Sequence, residues 1–167
     1  GAGRALPIAL SKDIVWIADR IVVQMQTSLS AKLTSLQTEY NDGIVLDSIP
    51  NARMFVAEKQ VLPALPFLTV IPDRSDAVPL SGESRYDIEY HYLTVAVADG
   101  GNIDEERLKK RMARYVRAVE EVCIDNRTLN GSVTDVMVFE KQYAPLLASK
   151  TGLLQEGQLS VRVQTHP

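Results

Sequence analysis

From position 14 onward, apolar residues return every three or four places: Ile14, Ile17, Ile21, Met25, Leu29, Leu33 and Leu36. That spacing lines up one face of a long helix, predicted over residues 12–39. Ser11 is the expected N-cap, and Asp13 belongs in the first turn, where the helix dipole favours an acid. Asn41-Asp42-Gly43 ends the run. A second stripe, Leu108, Met112, Tyr115, Val116, Val119, Val122 and Cys123, predicts a helix to about residue 124. Its start reads in two ways. Asn102 and Glu105 form a capping box, or Asp104 is the cap and Ile103 and Leu108 make a hydrophobic staple.

Between and after these helices the pattern shortens to strands. Residues 53–57 give a short one. Pro63 and Pro66 frame Leu65 and exclude a helix there. Residues 67–71 read as a strand ended by Pro72-Asp73, and residues 73–84 as a polar, exposed loop. Over residues 85–99, Leu93, Val95 and Val97 alternate with smaller residues, while Tyr86, Ile88, Tyr90 and Tyr92 fall on the opposite parity. The change near His91 predicts a bulge, or a strand covered on both faces. Residues 99–102 form a turn. Asn130-Gly131 turns into a strand over 133–141, residues 143–157 read as a loop or short helical turn, and residues 159–163 alternate as a closing strand. The order is helix, two or three strands, helix, two strands. It predicts an α+β fold: a mostly antiparallel sheet of four to five strands with two main helices packed on one face. The other face is left to solvent or a partner. The length favours one domain, over residues 11–165, after a flexible N-terminal segment, 1–10. Gly1-Ala2-Gly3 reads as a cloning remnant or a processed end.

Composition adds limits. With 46% hydrophobic and 23% charged residues, wholesale disorder is excluded. A formal net charge of −3 argues against a general nucleic-acid binder, which carries a basic excess. Apolar runs are interrupted by Asp13, Asp19, Arg20 and Gln24, and none reaches the ~20 residues that span a bilayer. One cysteine allows no internal disulfide. His91 sits in a strand without a motif, His166 near the end, and neither they nor Cys123 make a zinc pattern. Cys123 lies on an apolar stripe and reads as a buried thiol. Gly100-Gly101 lacks the rest of a phosphate-binding loop. The acids Asp104-Glu105-Glu106 are accounted for by the helix dipole, and Glu120-Glu121 by a solvated face. Arg107, Lys109, Lys110, Arg111 and Arg114 read as a solvated basic face or a contact for an acidic partner or DNA. No catalytic residue, cofactor or metal site is expected.

Four features together resemble the tail terminator proteins of long-tailed bacteriophages, and more loosely the neck proteins that share their fold. They are the opening helix with the Pro-framed strand Leu65-Pro66-Phe67-Leu68-Thr69-Val70; the strand Tyr90 to Val97 with its acidic turn, residues 99–104, into a helix; the Leu129-Asn130-Gly131 turn opening the strand to Phe139; and Tyr143-Ala144-Pro145-Leu146 before a closing strand. The resemblance runs from about residue 11 to 164 and matches least over 44–60. It implies a structural, non-enzymatic protein that forms a homo-oligomeric ring, commonly a hexamer, at the head-proximal end of the tail tube. Such a ring ends tube growth and meets the head–tail connector. DNA passes through its lumen without specific binding, and no membrane is involved. The implied place is the tail–neck region of the virion, after assembly in the host cytoplasm. The expected interface with a neighbour or the tube is Asp73, Arg74, Asp76, Glu83, Arg85 and Tyr143, though the loop that carries most of them also reads as plain solvent loop. A neck protein of the same assembly is the alternative, followed by a small enzyme or a cytoplasmic binding module.

Overall fold

The computed structural model describes residues 12–78 and 88–166. Helix α1 (Ile14–Tyr40) starts at Asp13, whose side chain accepts from Trp16 N at 2.8 Å. Asp13 is therefore the cap rather than a first-turn residue, and Ser11, the expected cap, lies outside the described residues. Asn41 closes the helix in the left-handed conformation, its N–H returning to Gln37 O. After a single turn at Asn51–Arg53 come strands β1 (Met54–Val56), β2 (Phe67–Val78) and β3 (Ile88–Gly101), then helix α2 (Glu105–Asp125). Asp104 caps α2 by accepting from Arg107 N at 2.8 Å, which selects the second of the two predicted starts. Strands β4 (Asp135–Tyr143), β5 (Leu147–Ser149) and β6 (Gly152–Thr165) complete the chain.

The strands form one sheet in the order β1-β2-β3-β6-β4, with β5 paired to the start of β6. Among the described residues β1 and β2 pair in parallel and the other pairs are antiparallel. This is the expected α+β fold, with six strands instead of four to five. The extra one, β5, is three residues between Pro145 and Gly152, too short to show alternation. Three other readings change. Strand β2 does not stop at Pro72-Asp73 but continues to Val78, because a bulge between Pro72 and Arg74 absorbs the missing proline donor. The bulge expected near His91 is therefore on β2; β3 pairs with β6 without a break from Glu89 to Gly101. Residues 99–101, expected as a turn, are the end of β3, and most of the 143–157 loop is strand.

Both helices cover the same face. Helix α1 lies over β1, β2 and β3, and α2 over β3, β6 and β4. The core joins Ile17, Ile21, Met25, Leu29 and Leu33 of α1 and Met112, Tyr115, Val116 and Val119 of α2 to the inward rows of the sheet. Those rows are Leu68 and Val70, Leu93, Val95 and Val97, and Leu159, Val161 and Val163. The alternate residues of the same strands form a face that no helix covers among the described residues. Residues 58–63, in the connection that carries the chain from β1 back to the start of β2, lie against part of it.

Candidate subunit interface

Polar groups buried under the helices are held by one another. Arg111 donates from Nε to Asp99 Oδ2 at 2.9 Å and from Nη2 to Asp47 Oδ2 at 3.1 Å. Tyr115 OH donates to Asp47 O at 2.7 Å. Burial raises the Asp99 carboxyl and the Tyr115 phenol above their ordinary values, against the pull of the Arg111 charge. A second guanidinium, Arg114, grips Asp42 through both oxygens and holds that carboxyl down at about 2. Together these pairs pin residues 42–47 onto α2. Much of the basic run on α2 thus serves the fold: Arg114 is buried, and Arg111 is largely so.

His91 is 1% exposed. Its Nδ1 lies 2.7 Å from Ser75 Oγ and its Nε2 3.0 Å from Thr165 Oγ1, so a neutral ring satisfies both nitrogens. A hydroxyl beside an imidazole is the local geometry of a nucleophile and its base. Ser75 stands directly opposite His91 within the β2–β3 ladder, and the ring ties β2 to β3 and, through Thr165, to β6. Burial lowers the pKa of His91, while Glu89 and Asp13 oppose the shift. The folded state therefore resists a proton that the unfolded chain accepts below about 6.5, the ordinary value for histidine. Stability is expected to fall as pH drops from 7.5 through this range, and to level off below the folded-state pKa. Denaturation midpoints at pH 7.5 and 5.5 measure the slope, which His91→Asn should flatten. An unchanged slope in the variant would assign the effect elsewhere. Cys123 is buried in α2, and burial pushes its thiol up to about 12, so it stays protonated. Among the described residues, no group of His, Cys, Asp or Glu is placed to hold a metal ion. No helix among them is long and apolar enough to cross a membrane.

Of the six interface residues expected from sequence, the four that are described lie at two ends of the sheet. Asp73, Arg74 and Asp76 lie at the far end of β2, exposed, with Arg74 near both acids at 3.6 and 3.7 Å. Glu83 and Arg85 fall outside the described residues. Tyr143 ends β4 at the opposite end of the sheet: it is opposite Gly157, whereas Arg74 is in line with Arg162. Five residues of β6 separate the two positions, roughly 17 Å. Tyr143 instead borders a groove of about 670 Å³ between the loop 143–146 and Glu105, Lys109 and Ala113 of α2. Gln155 lines the same groove and donates to Ala144 O at 3.1 Å.

What the sheet does assemble is an uncovered face with two parts. One is a groove of about 440 Å³ beneath residues 58–63, floored by Thr69, Ala96 and Ala98 and walled by Phe67, Glu156 and Gln158. The other is a row across four strands, in which Arg74, Tyr92, Arg162 and Met137 stand opposite one another. The Arg74 guanidinium lies 4.2 Å from the centre of the Tyr92 ring, and that of Arg162 4.4 Å from the Tyr90 ring. Phe139, half exposed on β4, meets Tyr92 edge-on at 6.1 Å. Of this row only Arg74 was expected from sequence. The available signal was parity: Tyr90, Tyr92 and Arg162 all occupy the even positions of their strands. Strand β4 pairs on one side only, and its residues 139–143 are exposed.

No family model matches the chain, and no curated protein matches it. Among solved structures that do match, one aligns over 87% of this chain and 96% of its own at 12% identity, with a TM-score of 0.43.

Proposed function

We propose that this chain is a structural, non-catalytic protein that forms a ring at the head-proximal end of a bacteriophage tail tube, ending tube growth and joining the tail to the head connector. The observation that carries the reading is the sheet itself. One face is packed by two helices. The other presents tyrosine, phenylalanine, methionine and arginine to solvent, the residue types that enrich protein interfaces. A free edge on β4 adds a second surface suited to a neighbour. The order of elements supports the family resemblance drawn from the sequence. The buried charges Asp99, Arg111 and Arg114 are engaged in ion pairs within the chain.

Purified protein mixed with tail tubes is expected to cap them with rings of fixed size, seen by negative-stain imaging and by light scattering. Rings found on connectors and never on tubes would point to the neck protein instead. Protein that stays monomeric with both and is absent from virions would end the proposal.

A further inference from the structure

Arg162 stands near the middle of the uncovered face, flanked by β3 on one side and β4 on the other. It is partly buried and stacked on Tyr90, yet among the described residues it has no hydrogen bond and no carboxylate partner. Stacking holds the guanidinium in place and leaves its N–H edge unused, so little ordering is required for it to take an anion. Tyr90 and Tyr92 flank it on the β3 side, with Met137 and Phe139 on the β4 side.

The opposite surface of the molecule carries a matching feature. On the outward side of α1, Val15 and Val23 are 52% and 43% exposed, and Asp19 lies between them. These positions are four apart and form one line along the helix, with about 6 Å between neighbours. Asp19 has no hydrogen bond or ion pair among the described residues. An acid between two exposed valines is the complement of an arginine between aromatic and apolar side chains, and neighbouring strands about 4.8 Å apart give the row a similar spacing.

Resting on the ring reading above, we infer that adjacent copies meet through these two surfaces: the outer line of α1, Val15-Asp19-Val23, seats on the uncovered sheet face of the next copy, with Asp19 at Arg162. The neighbour's helix then supplies a second layer that the described residues of this chain do not provide. The two patches lie on opposite sides of one chain, so the contact is head-to-tail, the kind that generates a ring when its rotation closes. A second copy suits the site better than nucleic acid does. The chain carries a net charge of −3, and Asp73 and Asp76 stand beside Arg74 at the end of the row. Those acids repel phosphate.

Two measurements test the contact. Arg162→Asp and Asp19→Arg, each checked for folding by circular dichroism, are expected to weaken association by roughly tenfold or more, and the double reversal to restore it. The second uses cysteines, with the native Cys123 buried and silent. Val23→Cys protein mixed with Phe139→Cys protein and a short bismaleimide should give a covalent dimer that neither gives alone. Rings that form equally well with Arg162→Asp, or a mixture no more cross-linked than the single variants, would overturn this contact and leave the ring reading standing. Wild-type protein that never associates would overturn both.

Discussion

Replacing Arg111 with leucine is expected to cost about 3–5 kcal/mol of folding stability, the usual penalty for stranding a buried charge. The Asp99 carboxylate it leaves behind is 1% exposed, and burial already raises its pKa with the arginine present. Without that charge the carboxyl is expected to take up a proton well above the ordinary carboxylate range. The variant should then recover stability as pH falls through the new value, because the folded state binds the proton more tightly than the unfolded chain does. In wild type the Arg111 charge holds the same carboxyl lower, so its gain should be smaller and come at lower pH. Denaturant unfolding of both proteins between pH 8 and 5 reads the difference. Arg111→Leu combined with Asp99→Leu should regain most of the loss, since an apolar pair of similar volume leaves no orphan charge. A single variant with unchanged stability would mean that the pair is not the tie between α2, β3 and residues 42–47 that its geometry describes.

Gly157→Val is expected to cost about 3 kcal/mol, at the upper end of ordinary overpacking. Strand preference by itself predicts the opposite sign, because valine suits a strand and glycine weakens one. Contact decides. A Cβ at position 157 would sit 2.6 Å from Val116 Cγ2 and 2.7 Å from Met112 Sδ. Methionine can move its end, but a valine in a helix has essentially one rotamer, so α2 itself must lift from β6. Thermal and denaturant unfolding measure the loss. Met112→Ala in the same chain should relieve part of it, and a Gly157→Val protein as stable as wild type would show that α2 is not seated against β6 at this point.

Much of the architecture was legible along the chain, for a local reason. A helix buries one stripe whatever it packs on, so the spacing of Ile17, Ile21, Met25 and Leu29 predicts α1 without knowledge of its partner. Leu93, Val95 and Val97 mark β3 in the same way. Failures came where the deciding contact is remote. Strand β2 continues past Pro72 because β3 is there to pair with it and a bulge absorbs the proline. Asp99 looked like a turn residue, but Arg111, twelve positions later, makes it a buried partner. Gly157 carried no signal at all, since its role depends on Val116 and Met112.

The spacing of the expected interface residues was hidden for the same reason: Tyr143 stands at the other end of the sheet from Arg74. The chain by itself determined the helices, most strands and the absence of a recognisable catalytic motif, because periodicity and motif spacing are local. Only the tertiary structure decided which residues share the uncovered face. Strand register brings Arg74, Tyr92, Arg162 and Met137 into one row from four separate stretches of sequence, and no one of those stretches contains the information that aligns them.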